Sequence, residues 1–176
     1  MKKPKLMVIG NAEHGKDTLT EMLCDELHLD WASSSWVACE LFIYDALKGE
    51  YGYKSSMECW LDRRRSPEMR ARWAEEITAF NRTNITNMGR IIFERYQIYN
   101  GIRNYDECLA LKKEGLYDFA IGIDASGRLP LEGSKSMDQS LFGLCDWIVT
   151  NNGTLEDLEN FVNFGLIPTI KKAFNA

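Results

Sequence analysis

Four consecutive apolar residues, Leu6 to Ile9, end at Gly10, a pattern that suits a buried strand running into a tight turn. From Asp17 to Leu27 the period changes. Leu19, Met22, Leu23 and Leu27 recur at helical spacing, so strand, Gly-containing loop and helix follow in that order. Leu41 to Leu47 also reads as helix, as does Glu68 to Phe80, where Met69, Trp73, Ile77 and Phe80 share one side and Pro67 suits the first turn. A further helix is expected from after Asn84 to about Arg95, then a strand over Gln97 to Ile102 and a helix over Asp106 to Glu114 stopped by Gly115. Phe119 to Ile123 and Trp147 to Val149 read as strands. Thr154 to Phe164 reads as the closing helix, with Thr154 as its cap and Glu156 and Asp157 near the positive end of its dipole. This alternation predicts an α/β fold with a largely parallel sheet. Two stretches interrupt it, a helical insertion over about 36–95 and a Gly- and Ser-bearing loop over about 126–140.

Composition narrows the class. At 176 residues and 45% apolar content, residues 1–176 are expected to form a single domain with a proper core. Cysteines 24, 39, 59, 108 and 145 include no C-x-x-C pair and have only two histidines to accompany them. Reduced thiols in a cytoplasmic protein are therefore expected, without a disulfide framework or zinc site. The basic opening MKKPK precedes an apolar run far too short for a secretory core, and no stretch approaches the ~18 apolar residues of a membrane span, so no membrane partner is expected. A net charge of −5 speaks against an extended surface for duplex DNA. Arg63, Arg64 and Arg65 form the one dense basic cluster.

The chemistry begins where the first strand ends. GNAEHGKDT fits G-x-x-x-x-G-K from Gly10 to Lys16, spanning Gly10, Asn11, Ala12, Glu13, His14, Gly15 and Lys16, with Asp17 where Ser or Thr is usual and Thr18 next. Glycines let such a loop turn tightly so that backbone N–H groups face phosphate oxygens, the following helix adds its positive end, and Lys16 reaches the outer phosphates. Either Asp17, directly or through water, or the Thr18 hydroxyl can hold magnesium here. His14 lies in the loop, where a packing role competes with contact to a nucleotide.

The same residues resemble a known family. GNAEHGKDTLTEML is similar to the opening of phage deoxynucleoside monophosphate kinases, which belong to the adenylate-kinase-like P-loop kinases. SSSW at Ser33 to Trp36, YGYKSSMECWLDRRRSPEMRARWAEEI at Tyr51 to Ile77, YNGIRNYDE at Tyr99 to Glu107, IDASGRLPLE at Ile123 to Glu132 and CDWIVTNNGTLEDL at Cys145 to Leu158 extend the similarity in order. The resemblance implies a three-layer α/β/α fold of the P-loop type, with a helical acceptor-binding insertion and a short lid. It places Ser33, Ser34 and Ser35 at the acceptor entrance, with Arg63 or its neighbours such as Arg65, and Arg70 or Arg72, on the acceptor phosphate. A guanidinium fork suits that task, although arginines on an amphipathic helix also simply keep it soluble. Arg103 would lie near the transferring phosphates. Many wider relatives carry Asp where this chain has Asn100, so Asp124 is a third candidate for the magnesium carboxylate, against a role as strand-end cap. Arg128 would begin the lid and be delivered by it to the transferring phosphates, against a role as a solvent-facing charge; Gly127 and Gly133 permit backbone change there, and Arg128 and Lys135 supply charge.

The expected function is transfer of the γ-phosphoryl group of ATP, with magnesium, to a deoxynucleoside monophosphate in a cytoplasm, that of the host if the chain is phage-encoded. The expected partner is thus a small nucleotide, and a homodimer is left open. A kinase of a modified base in DNA and a non-catalytic nucleotide-binding module are the alternatives.

Overall fold

The computed structural model describes residues 3–133 and 136–174. Its described residues form a five-stranded parallel sheet in the order β2-β3-β1-β4-β5, from β1 (Leu6–Gly10), β2 (Trp31–Ser33), β3 (Ile98–Asn100), β4 (Phe119–Asp124) and β5 (Trp147–Thr150). All of β1 is buried because it is the middle strand, covered on both faces, which is why its sequence is a continuous apolar run. Its side chains alternate between two cores. Met7 and Ile9 enter one with Val37, Leu47, Trp73 and Ile92, while Leu6 and Val8 enter the other with Leu19, Leu23, Leu158 and Ile170. Val8 lies beside Asn100 of β3 and Gly10 beside Ile123 of β4, so the C-terminal ends of three strands meet where the phosphate loop begins. The chain turns to opposite sides of β1 from there, which is where open α/β sheets hold their ligands.

Helix α1 (Lys16–Leu27) covers the second core. The insertion contains α2 (Ser34–Ala38), a π turn (Cys39–Ile43), α3 (Tyr44–Tyr51), α4 (Ser56–Asp62), α5 (Pro67–Phe80) and α6 (Asn87–Arg95). Ser55 and Ser66 cap α4 and α5 by accepting from Glu58 N and Met69 N, and Pro67 occupies the first turn as expected. After β3 come α7 (Tyr105–Lys113), capped by Asn104, and after β5 α8 (Leu155–Phe161), which Thr154 and Asp157 cap reciprocally.

Several boundaries differ from expectation. The helix expected over Leu41 to Leu47 is part of a continuous helical run from Ser34 to Tyr51, interrupted only by the π turn. The strand expected over Gln97 to Ile102 narrows to three residues, because the chain leaves the sheet to carry Gly101 and Arg103 over the site. Strand β2 was not expected, since three residues give no readable period. The last helix does not stop at Phe164. A π turn (Val162–Leu166) leads into α9 (Ile167–Phe174), whose Ile167 and Ile170 fill the second core despite Gly165 and Pro168 beside them. Among the described residues no helix is long and apolar enough to cross a membrane.

Candidate active site

Gly10 ends β1 so close to β4 that a Cβ there would sit 2.7 Å from Ile123 Cγ2 and 2.8 Å from Ile123 O. Glycine is the residue that fits. Glu13 and Gly15 adopt positive φ of 65° and 98°, curling the loop so that α1 starts at Lys16. The first helical bond runs from Leu19 N to Gly15 O, and no side chain caps the helix, so the N–H groups of Lys16, Asp17 and Thr18 lack intrahelical partners. They make an anion-binding end. Lys16 folds back over the loop and donates to Asn11 O at 2.7 Å. Burial, with repulsion from Arg103 and Arg64, pushes its ammonium down to about 8, although Asp17 and Glu132 offset part of the loss.

Residues 126–133 of the expected lid are tied to this loop. The imidazole of His14, fully buried, accepts from Ala125 N at Nδ1 (3.0 Å) and donates from Nε2 to Pro130 O (3.2 Å). Those bonds require a bare Nδ1, so its 3.8 Å approach to Asp124 is not an ion pair. Asn11 and Gln139 exchange amide hydrogen bonds, and Asn11 Oδ1 also accepts from Glu132 N. The Glu132 carboxylate accepts from Ala12 N at 2.6 Å and pairs with Arg103. Burial would raise that carboxyl, but Arg103 outweighs it and holds the group below the usual range. Glu132 thus sets a negative charge at the mouth of the phosphate loop, a role not foreseen from the sequence. Arg128 donates to Asn151 O at 2.7 Å. Lys135 lies outside the described residues.

The two sides of the loop differ. On one side a cleft of about 260 Å³ is lined by Glu13, Gly15, Thr18, Arg128, Asn151 and Leu155. Asn151 also donates to His14 O, bracing the loop from the end of β5. On the other side Asp17 is exposed, and Asn100 Nδ2 donates to it at 2.9 Å. The charges of Asp17 and Arg64 both act on Arg63, whose guanidinium burial lowers to about 10. Arg63 stacks 3.9 Å over the Trp60 ring, and Trp60 Nε1 donates to Ser35. Ser33 caps Trp36 N and Ser34 donates to Gly101 O, so these hydroxyls tie the start of α2 to the segment after β3. Arg70 acts electrostatically on Arg63.

Three expected residues are placed elsewhere in their interactions. Arg65 pairs with Asp62 and lies over the Tyr51 ring, and Arg72 pairs with Glu75 and Glu76 along exposed α5. Of the arginines at 63–65, the one whose charge reaches Lys16 is Arg64. Both Asp124 oxygens are engaged at 2.9 Å by the N–H and hydroxyl of Ser126, which is the strand-end cap considered above.

No protein-family model matches the chain, and no curated protein matches it in sequence. Solved structures do. A gluconokinase from Sinorhizobium meliloti 1021 superposes with a TM-score of 0.52 at 10% identity, covering 98% of this chain and 96% of its own. A shikimate kinase from Bacteroides thetaiotaomicron gives 0.51 at 11% identity, with 98% and 99% covered. The chain shares the α/β fold of these kinases, a five-stranded parallel sheet flanked by helices.

Magnesium was expected from the sequence, so the donor set must suit a hard cation. It does: Asp17 presents an exposed carboxylate beside the anion-binding end of α1, whereas Thr18 faces the opposite cleft. Among the described residues no group of three or more His, Cys, Asp or Glu could hold a metal.

Proposed function

We propose that this protein is an ATP-dependent kinase whose acceptor is a nucleoside monophosphate, with the deoxynucleotide as the favoured class. The observation that carries the reading is the group of cations beside the loop: Arg103 and Arg64 act on Lys16, and Arg64 and Arg70 on Arg63, with Asp17 and Glu132 offsetting only part of the effect at Lys16. A phosphorylated acceptor supplies the anion that such a group attracts, even in a protein of net charge −5.

In this reading the donor base enters the cleft between Thr18, Arg128 and Leu155, and its phosphates follow the loop N–H groups to Lys16. A magnesium ion, held by Asp17 and the phosphates, would neutralise charge on the transferring group. Lys16 and Arg103 stabilise the equatorial oxygens, and Arg63 and Arg64, with Arg70 behind them, hold the acceptor phosphate. The acceptor oxygen is already anionic, so no general base is required. Excluding water would fall to the insertion and to the lid, a reading supported by the bonds from Glu132 N to Asn11 and from His14 to Pro130 O.

A coupled assay with ATP against common and modified monophosphates, and against gluconate and shikimate, tests this. Turnover is expected with at least one deoxynucleoside monophosphate and falls at least ~100-fold in a folded Lys16→Ala protein. Transfer confined to the uncharged hydroxyls of the sugar-type acids would overturn it.

A further inference from the structure

Asn100, at the end of β3, is 1% exposed, and its amide nitrogen makes two hydrogen bonds, to Asp17 Oδ1 at 2.9 Å and to Thr20 Oγ1 at 3.2 Å. The Thr20 hydroxyl has spent its one proton on Lys16 O, 2.8 Å away. It therefore meets Asn100 as an acceptor, and so does the carboxylate of Asp17. Position 100 must supply two donors from one short side chain. An amide does this; a carboxylate in the same place would point an acceptor at two acceptors, one of them charged.

We propose that Asp17 and Asn100 are a charge-exchanged pair: the carboxylate that orders the divalent cation stands on the first turn of α1 at Asp17, and Asn100 on β3 is the positioning residue that aims it. This rests on the nucleotide-kinase reading given above. A P-loop helix usually opens with a hydroxyl at the position of Asp17, so a carboxylate here brings one negative charge directly to the loop. A second carboxylate on the neighbouring strand would then have to share its site, and two such groups in contact cannot both stay ionised. The neutral amide at 100 is the arrangement that keeps the charge single. It also fixes the rotamer, because Asn100 is itself held by buried Thr20, whose backbone lies one helical turn from Lys16. The oxygen of Asp17 turned away from Asn100 is the one left for the cation.

The test is the ratio of ADP affinities measured by calorimetry with and without Mg2+, together with thermal midpoints of the nucleotide-free protein. Asp17→Asn keeps the shape and removes the charge; the ratio should fall ~10-fold or more while binding without Mg2+ is retained. Asn100→Asp should lower both the ratio and the midpoint, since it confronts Asp17 and Thr20 with a second carboxylate. In Asp17→Ser/Asn100→Asp the charge moves to the strand and Thr20 can turn its proton toward it, so ratio and midpoint should both recover relative to Asn100→Asp alone. A purely structural role for Asn100 predicts a lower midpoint with the ratio unchanged, and that result would overturn the proposal. So would an Asp17→Asn protein with the wild-type ratio, or a double variant no better than Asn100→Asp. Absence of any ADP binding by the wild-type protein would overturn the proposed function and this pair with it, whereas normal ADP binding with an Asp17-independent ratio overturns the pair alone.

Discussion

Raising the pH should strip the phosphate loop of its lysine charge well before lysines elsewhere lose theirs. Lys16 titrates near 8, so about nine in ten molecules carry the charge at pH 7 and about one in ten at pH 9. If the charged form binds nucleotide, the apparent dissociation constant of ADP rises about tenfold between those two values. Bound phosphates return the ammonium to its charged form, so binding takes up a proton: about half a proton per nucleotide at pH 8 and close to one at pH 9. The nucleotide's own phosphates are ionised above pH ~7.5 and do not add to this. Nearby groups lie outside the window, with Arg63 at about 10 and Glu132 held below the ordinary carboxylate range. Calorimetry of ADP binding at pH 8 in two buffers of different ionisation enthalpy measures the uptake directly. Lys16→Arg, whose charge does not titrate there, should abolish it. Proton uptake in the wild type indistinguishable from that of Lys16→Arg would refute the reasoning.

Two further outcomes concern stability. Glu107 is buried against Tyr99, and burial raises its carboxyl to about 7, so its contribution is complete below pH ~4.5 and is lost as pH rises through 7. Glu107→Gln should therefore stabilise the protein by up to about 3 kcal/mol at pH 8 and by much less at pH 4.5, measured by urea unfolding; an equal effect at both would show that no proton is involved. Gly10→Ala should cost about 2 kcal/mol, because its Cβ would meet the Ile123 carbonyl, a backbone group that cannot rotate aside. By contrast, exposed Gly49 in α3 has nothing within 4 Å of an added Cβ, and Gly49→Ala should raise stability by ~0.5–1 kcal/mol. Equal and small shifts for both glycines would remove the close-contact argument.

The legible parts of this protein are those where period and motif lie close together in the chain. Leu6 to Ile9 changes to a helical period after Gly15, and the loop between them needs no distant information. Glu132 gave no such signal. Its partner Ala12 lies 120 residues away, and the loop that brings it back has no period to reveal which residue faces inward. The arginines divide on the same ground. Arg72 precedes Glu75 and Glu76 by three and four residues, a helix-surface pattern that could have been weighed against acceptor binding from sequence. Arg63, Arg64 and Arg65 instead follow the end of α4 at Asp62, so no helical phase indicates which one turns toward Lys16. Strand β2 was hidden by its length, and α9 by Gly165 and Pro168, which read locally as an ending but are overridden by the apolar face that follows.

The alternation of β1 divides more than its side chains. The helical insertion packs through Val37, Leu47 and Trp73 into the core that contains Met7 and Ile9, while α1 belongs through Leu19 and Leu23 to the core that contains Leu6 and Val8. Substitutions that reshape the first packing layer are screened from the second by the width of a single strand. On the proposed reading, acceptor preference can therefore drift in one compartment while the helix that follows the phosphate loop keeps its seat in the other, and a designer can mutate the two as separate modules.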